Sequence, residues 1–272
     1  LDWSKTKTIF IIVFSIMNVF LYSLYLDRYT EYEKVEVLGS DSSSIEEKLK
    51  EDNISYGNLP MKVDPEPYVN AQIHMFKNSE IPYGNQQGRL EKNNLLHVNF
   101  RKPMPLEGEV SKETLSAFVE ENVYQGQEYV FWKINSKENK AIFFQKVNGK
   151  TLYYSDNGRV TIYWNKAGQV TGFEQTVYEK VELGEQPKDL ISPIQAIYTL
   201  YTRGVLPANS TIDTAEVGYS VYVQVSENAR MFLPTWRISA TLADGTKEEY
   251  FINAVNNGIV ELETEEEEEV VK

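Results

Sequence analysis

Ala141 to Tyr178 reads AIFFQKVNGKTLYYSDNGRVTIYWNKAGQVTGFEQTVY, and this stretch decides the fold class. In Arg159–Trp164, the residues Val160, Ile162 and Trp164 alternate with Arg159, Thr161 and Tyr163. That period of two predicts a strand with one buried face and one wetter face. The runs Ala141–Val147, Thr151–Tyr154 and Gln169–Tyr178 are rich in aromatic and β-branched residues, which fit a pleated, half-buried surface. Asn148-Gly149, Asn157-Gly158 and Lys166-Ala167-Gly168 stand between them. Asn-Gly readily takes the positive φ angles of a two-residue hairpin turn, so an antiparallel meander is predicted.

Upstream of the meander, Tyr129–Ile134 reads as another strand. Ser111 is placed to cap a helix whose apolar face is Leu115, Phe118 and Val119. Tyr68–Phe76 and Leu95–Phe100 read as strands, and Pro60, Pro65 and Pro67 break regular structure before them. Ser44-Ile45-Glu46-Glu47 is a capping-box pattern, continued by Leu49 at i+4 from Ile45, and predicts a short helix.

Downstream, Val181–Lys188 reads as a linker. Ser192 as N-cap with Pro193 at the first helical position opens a further helix, with Ile194, Ile197, Tyr198 and Tyr201 as its apolar stripe and Gly204 as its stop. Strands follow at Thr214–Val225, Thr235–Leu242 and Lys247–Asn253, with a short one at Ile259–Leu262 and a turn at Asp244-Gly245. The expected fold class is α+β: an antiparallel sheet with a few packed helices, arranged as two subdomains over 44–180 and 189–262.

At the N-terminus, Ile9–Leu26 (IFIIVFSIMNVFLYSLYL) runs for eighteen residues without a charge. As a helix it spans about 27 Å, close to the hydrocarbon thickness of a bilayer. Trp3, Tyr22, Tyr25 and Tyr29 stand where interfacial aromatics gather, and Lys5 and Lys7 precede the run with only Asp2 opposing them. The positive-inside bias therefore predicts residues 1–8 in the cytoplasm, a transmembrane helix over 9–26, a connecting stretch over 27–43, and the rest outside the cell. The run is longer than a signal-peptide core and lacks a small-x-small cleavage site, so an uncleaved anchor is expected. Ser15, Asn18, Tyr22 and Tyr25 share one helical face. An amide at mid-membrane is costly unless bonded, which makes Asn18 a candidate contact to another helix; a backbone carbonyl or water could serve it equally.

Composition excludes several functions. The net charge is −13, of which residues 261–272, with seven Glu and one Lys, supply −6. So acidic a chain has no electrostatic affinity for phosphate backbones, and nucleic acid is not expected as a partner. The polyglutamate run Glu265–Glu269 repels itself, so 263–272 is expected to be a disordered acidic tail. With no cysteine there is no thiolate nucleophile, and the two histidines, His74 and His97, lie in predicted strands without a metal-ligand pattern. No P-loop, nucleophile elbow or dinucleotide fingerprint occurs. Asp64-Pro65-Glu66 could offer one carboxylate of a glycosidase pair, and Tyr153, Tyr154, Tyr163 and Trp164 could form a glycan platform. A solvated turn and core packing explain them first. Neither an enzyme nor a cofactor is expected.

The opening Asp2-Trp3-Ser4-Lys5-Thr6-Lys7-Thr8-Ile9-Phe10, leading into an Asn-containing span, resembles the start of the YycI (WalI) family of low-GC Gram-positive bacteria. Ser192–Leu262, with Pro234-Thr-Trp236-Arg-Ile238 and Tyr250-Phe-Ile252-Asn-Ala-Val-Asn-Asn-Gly258, also looks like a PepSY-type module. The first resemblance implies an anchored accessory regulator of the sensor histidine kinase YycG (WalK), which governs cell-wall metabolism. It further implies a sister protein, YycH, met through the transmembrane helices, and no catalytic residues. A homo- or hetero-dimer of the outer domain stays open. The rival reading is an extracellular module that binds or inhibits a protease or holds wall polymer; a wall hydrolase is a third.

Overall fold

The structure, a computed structural model, describes residues 7, 10–23, 42–60, 63–82 and 84–262. The chain divides into two compact units, Leu1–Ile54 and Ser55–Lys272.

In the first unit, residues 10–23 form a helix (α1) whose described side chains are all exposed. Ile9 and residues 24–26 of the expected span lie outside the described residues. Among the described residues no helix is long and apolar enough to cross a membrane. Helix α2 (Ser42–Glu51) begins two residues before Ser44, so that residue lies in the first turn and is not the cap. Ile45 and Leu49 are buried at the expected i, i+4 spacing, while Glu46, Glu47 and Lys48 are exposed.

The second unit holds two sheets. The meander sheet runs in the order β3 (Gln86–Glu91), β4 (Leu95–Met104), β9 (Val170–Gln175), β8 (Arg159–Trp164), β6 (Lys140–Val147), β5 (Tyr129–Asn135), with β7 (Lys150–Thr151) also on β6. All its pairings are antiparallel. Helix α3 (Lys112–Asn122) is capped by Ser111, whose side chain accepts from the Thr114 N–H, and buries Leu115, Phe118 and Val119 as predicted. Those side chains join Val98, Phe143, Ile162 and Phe173 in one core. Asn148 and Gly149 both have positive φ, 50° and 73°, the turn that closes the β6–β7 hairpin. Asn157-Gly158 closes no hairpin, because β7 and β8 each pair with β6 and not with one another. Strand β3 is absent from the sequence reading. Its residues, QQGRLE, are polar and alternate between partly buried and exposed, as an edge strand allows.

The second sheet runs β1 (Ser55–Tyr56), β11 (Thr211–Ser226), β12 (Ala229–Thr241), β2 (Val69–Ile73), β10 (Tyr178–Leu183), with β13 (Lys247–Asn253) also on β12. It draws strands from both sides of the 181–188 stretch. Ala229–Phe232 pairs with β2 and Thr235–Thr241 with β13, so one long strand holds two partners end to end along one edge. The expected strand Gln169–Tyr178 is two strands in two sheets, and Val181–Leu183, read as linker, belongs to β10. The crossing is held by Gln145 of β6. Its Nε2 donates to the Tyr178 carbonyl at 2.8 Å and its Oε1 accepts from the Tyr178 N–H at 2.8 Å, as a ladder residue would. The expected strand Ile259–Leu262 is reduced to one bridge, Ile259 with Ile252.

Helix α4 (Pro193–Thr202) has the predicted cap: Ser192 Oγ accepts from the Gln195 N–H, and the Gln195 side chain accepts from the Ser192 N–H. Its buried face is Pro193, Ala196, Ile197, Thr199 and Leu200, rotated from the predicted stripe. Ile194, Tyr198 and Tyr201 are only half-buried. Helix α4 contacts β12, and the Tyr198 and Tyr201 rings lie against one another with centres 6.1 Å apart.

Candidate functional site

The residues singled out in the span fall unevenly on the structure. Ser15, Asn18 and Tyr22 lie on α1 and are exposed, and Lys7 is helical and exposed. Tyr25, Trp3 and Lys5 lie outside the described residues, as do Tyr29 and the acidic tail 263–272.

The residues with catalytic chemistry are held by the chain itself. His74 is 8% exposed, with its ring stacked on Tyr124 and edge-on to Phe76. Its Nδ1 bonds Glu179 Oε2 at 2.9 Å, and its Nε2 lies 3.2 Å from Glu80 Oε1. His97 Nδ1 lies 3.0 Å from Glu174 Oε1 and its Nε2 3.2 Å from Glu91 Oε2. His97 thus ties two glutamates from separate elements, while His74 bonds Glu179 and its buried Nε2 makes no hydrogen bond; Glu174 also takes the Tyr163 hydroxyl at 3.0 Å. Among the described residues no group of His, Asp and Glu is arranged to hold a metal ion.

Glu66, the candidate carboxylate of the proline-rich loop, accepts from the Tyr219 hydroxyl at 3.1 Å and pairs with Lys150 at 3.1 Å. Burial raises the Tyr219 hydroxyl pKa to about 12, and the adjacent Glu66 carboxylate adds to this against a bond from Asn148. The glycan platform does not form. Tyr153 and Trp164 are buried, Tyr163 serves Glu174, and Tyr154 packs edge-on against Trp132 and Phe144.

A cluster that no sequence signal marks joins the two sheets. Arg237 of β12 lies 4.3 Å from the ring centre of Trp132 of β5, a cation–π contact. Its guanidinium also binds Glu249 and reaches Glu216 at 3.4 Å. Trp132 Nε1 donates to the Tyr154 hydroxyl at 3.0 Å, and burial raises the pKa of that hydroxyl to about 12. Tyr153 and Tyr154 both meet Phe251 of β13. The partners come from four strands and one loop, so spacing in the chain could not have revealed them.

An open groove of about 770 Å³ lies along β10, lined by the 3-10 turn Gly126–Glu128, the β6–β7 turn, Glu120 and Lys180. Its carboxylates and amines are interleaved, so no single sign of charge prevails.

The fold and these clusters define the class: an α+β protein of two antiparallel sheets whose histidines, central arginine and loop carboxylate serve its own architecture. A family model described as "YycI: YycI protein" matches residues 33–255, and the chain belongs to that family, one of membrane-associated regulators. The match begins downstream of Asp2–Phe10 and of the apolar run Ile9–Leu26. No curated protein matches the chain. An uncharacterized protein from Eubacterium rectale ATCC 33656 superposes with a TM-score of 0.46 at 9% identity, covering 78% of this chain and 92% of that one. The Bacillus megaterium YpeB C-terminal domain gives a TM-score of 0.40 at 14% identity, covering 82% and 95%.

Proposed function

We propose that the chain is a single-pass membrane regulator of a YycG/WalK-like sensor histidine kinase that controls cell-wall metabolism, with its N-terminus in the cytoplasm and its two-sheet unit outside. It acts with a YycH-like sister protein, and the face of Ser15, Asn18, Tyr22 and Tyr25 meets the partner helices. The observation that carries this reading is the family match over 33–255, on a chain that also holds an uncharged apolar run at Ile9–Leu26. Such a regulator works by binding one conformational state of the kinase more tightly than another, since only differential affinity shifts an equilibrium. Side-chain hydrogen bonds between membrane helices contribute about 0.6–2 kcal/mol each, enough to bias a balanced equilibrium without fixing it.

The test is crosslinking and purification of the full chain from its own membranes, beside a version with polyleucine in place of Ile9–Leu26. Recovery of a histidine kinase with the native span alone supports the reading in full. Equal recovery with both keeps regulation but moves recognition to the two-sheet unit, and recovery of no kinase overturns the proposal.

The groove along β10 favours one second reading, an extracellular module that holds a polar peptide or wall polymer. Lys146→Glu and Lys180→Glu would then abolish retention on wall material while leaving kinase recovery unchanged.

A further inference from the structure

Strand β11 is covered along part of its outer edge and then abandoned. Ser55–Tyr56 pairs with Thr211–Ile212, and Leu152 bridges Tyr219 in parallel, with the Tyr153 N–H donating to the Tyr219 carbonyl at 2.8 Å. At Tyr154 the backbone takes a left-handed φ of 40°, which turns this segment off the sheet before it can pair further. Among the described residues nothing pairs with the outer edge of β11 beyond Tyr219. The strand end is exposed as well: Tyr222 is 56%, Val223 46% and Val225 57% accessible.

Edge strands are commonly blunted by charge or proline. Ser220–Ser226 (SVYVQVS) carries neither. Its protection consists of two bulges against β12, between Val221 and Val223 and between Gln224 and Ser226. The segment is also close to a palindrome about Val223. Ser220 is itself buried, so the accessible part is Val221–Ser226, and laid antiparallel on a second copy it sets Val221 opposite Val225, Tyr222 opposite Gln224, and Val223 opposite itself. In a chain of net charge −13, two copies repel across most faces, whereas this edge brings no charge to the contact.

We propose that Val221–Val225 is a self-pairing edge through which two copies of this chain join by antiparallel strand addition about a two-fold axis at Val223. An isologous contact of this kind closes on itself, and the bulges, by twisting the strand, keep the pairing short and prevent sheet extension. One strand pair buries less than the roughly 800 Å² per partner of a standard interface, so the dimer is weak and concentration-dependent.

The chain has no cysteine, so a single introduced thiol reports on this geometry cleanly. Directly opposed Cβ atoms in an antiparallel pair lie about 4.5–5.5 Å apart, near the span of a disulfide. Val223→Cys in the purified full chain is expected to form a covalent dimer under mild oxidation at least tenfold faster than Glu227→Cys. The latter thiols, at the same hairpin tip, would lie about 27 Å apart in the dimer. Sedimentation of the wild type is expected to show a concentration-dependent dimer that Val223→Lys with Val225→Lys abolishes, with circular dichroism unchanged. Crosslinking of Val223→Cys no faster than the control, or a wild type that stays monomeric over the attainable concentration range, overturns the proposal.

Discussion

Glu66 illustrates how a side chain with catalytic potential becomes architecture. Its carboxylate binds the Tyr219 hydroxyl and Lys150, residues remote in sequence, and so ties the proline-rich loop to both sheets. Gly218 matters for the opposite reason, because it carries nothing. A Cβ there would meet the Thr151 carbonyl oxygen at 2.4 Å and the Tyr153 ring at 2.5 Å. Gly218→Ala is therefore expected to lower stability by about 1–3 kcal/mol through overpacking, read as a drop in the denaturation midpoint at unchanged slope. A midpoint equal to wild type would show that the layers can part without cost. In the span, Asn18→Leu is expected to reduce kinase co-purification while leaving the thermal midpoint of the two-sheet unit unaltered. Unchanged recovery and unchanged kinase output would remove Asn18 from the contact.

Among elements, α4 shows the limit of periodicity. Its boundaries follow from local chemistry, with Ser192 and Pro193 at one end and Gly204, at a φ of 70°, beyond the other. Its buried face was not local, because Ile194 and Leu200 are about equally apolar and only the neighbouring strand chooses between them. Ser192→Ala removes an acceptor for an otherwise unpaired N–H and is expected to cost about 1 kcal/mol, measurable in urea. Ser192→Asp should restore most of the loss, since a carboxylate caps as well, and a failure of that rescue would assign the effect to packing. In β12, Pro234 stands between the stretch paired with β2 and the stretch paired with β13. A residue without an N–H is best tolerated where a ladder is already interrupted.

For the whole molecule, the buried tyrosines set a boundary at high pH. Burial raises the pKa of Tyr129, Tyr153, Tyr154, Tyr178, Tyr219 and Tyr250 above the ordinary value of 10, and Tyr154 and Tyr219 reach about 12. Below pH 10 folded and unfolded chains are equally protonated at these groups, so this contribution is fully present. Between pH 10 and 12 the unfolded chain ionises first, and stability is lost as pH rises through the folded values. The thermal midpoint is expected to fall progressively above pH 10, with tyrosinate absorbance rising together with unfolding. Full tyrosinate absorbance near pH 10 in a still-folded protein would show that these hydroxyls are not desolvated.

Hydrophobic periodicity, caps and turn residues act within a few positions of one another. For that reason the strands Tyr129–Ile134, Ala141–Val147 and Arg159–Trp164, the caps of α3 and α4, the Asn148-Gly149 hairpin and the α+β class were legible in the residues themselves, as was the charge-free run at Ile9–Leu26. Partner choice was not legible. Nothing near Gln169–Tyr178 says that the chain leaves one sheet at Thr176 and enters another at Tyr178, because the side chain that holds this crossing, Gln145, lies far upstream. The Trp132–Arg237 contact, the glutamates around each histidine, the buried face of α4 and the abandoned edge of β11 share that character. Each is settled by groups distant in sequence and brought together by sheet pairing, and only the tertiary structure could decide them.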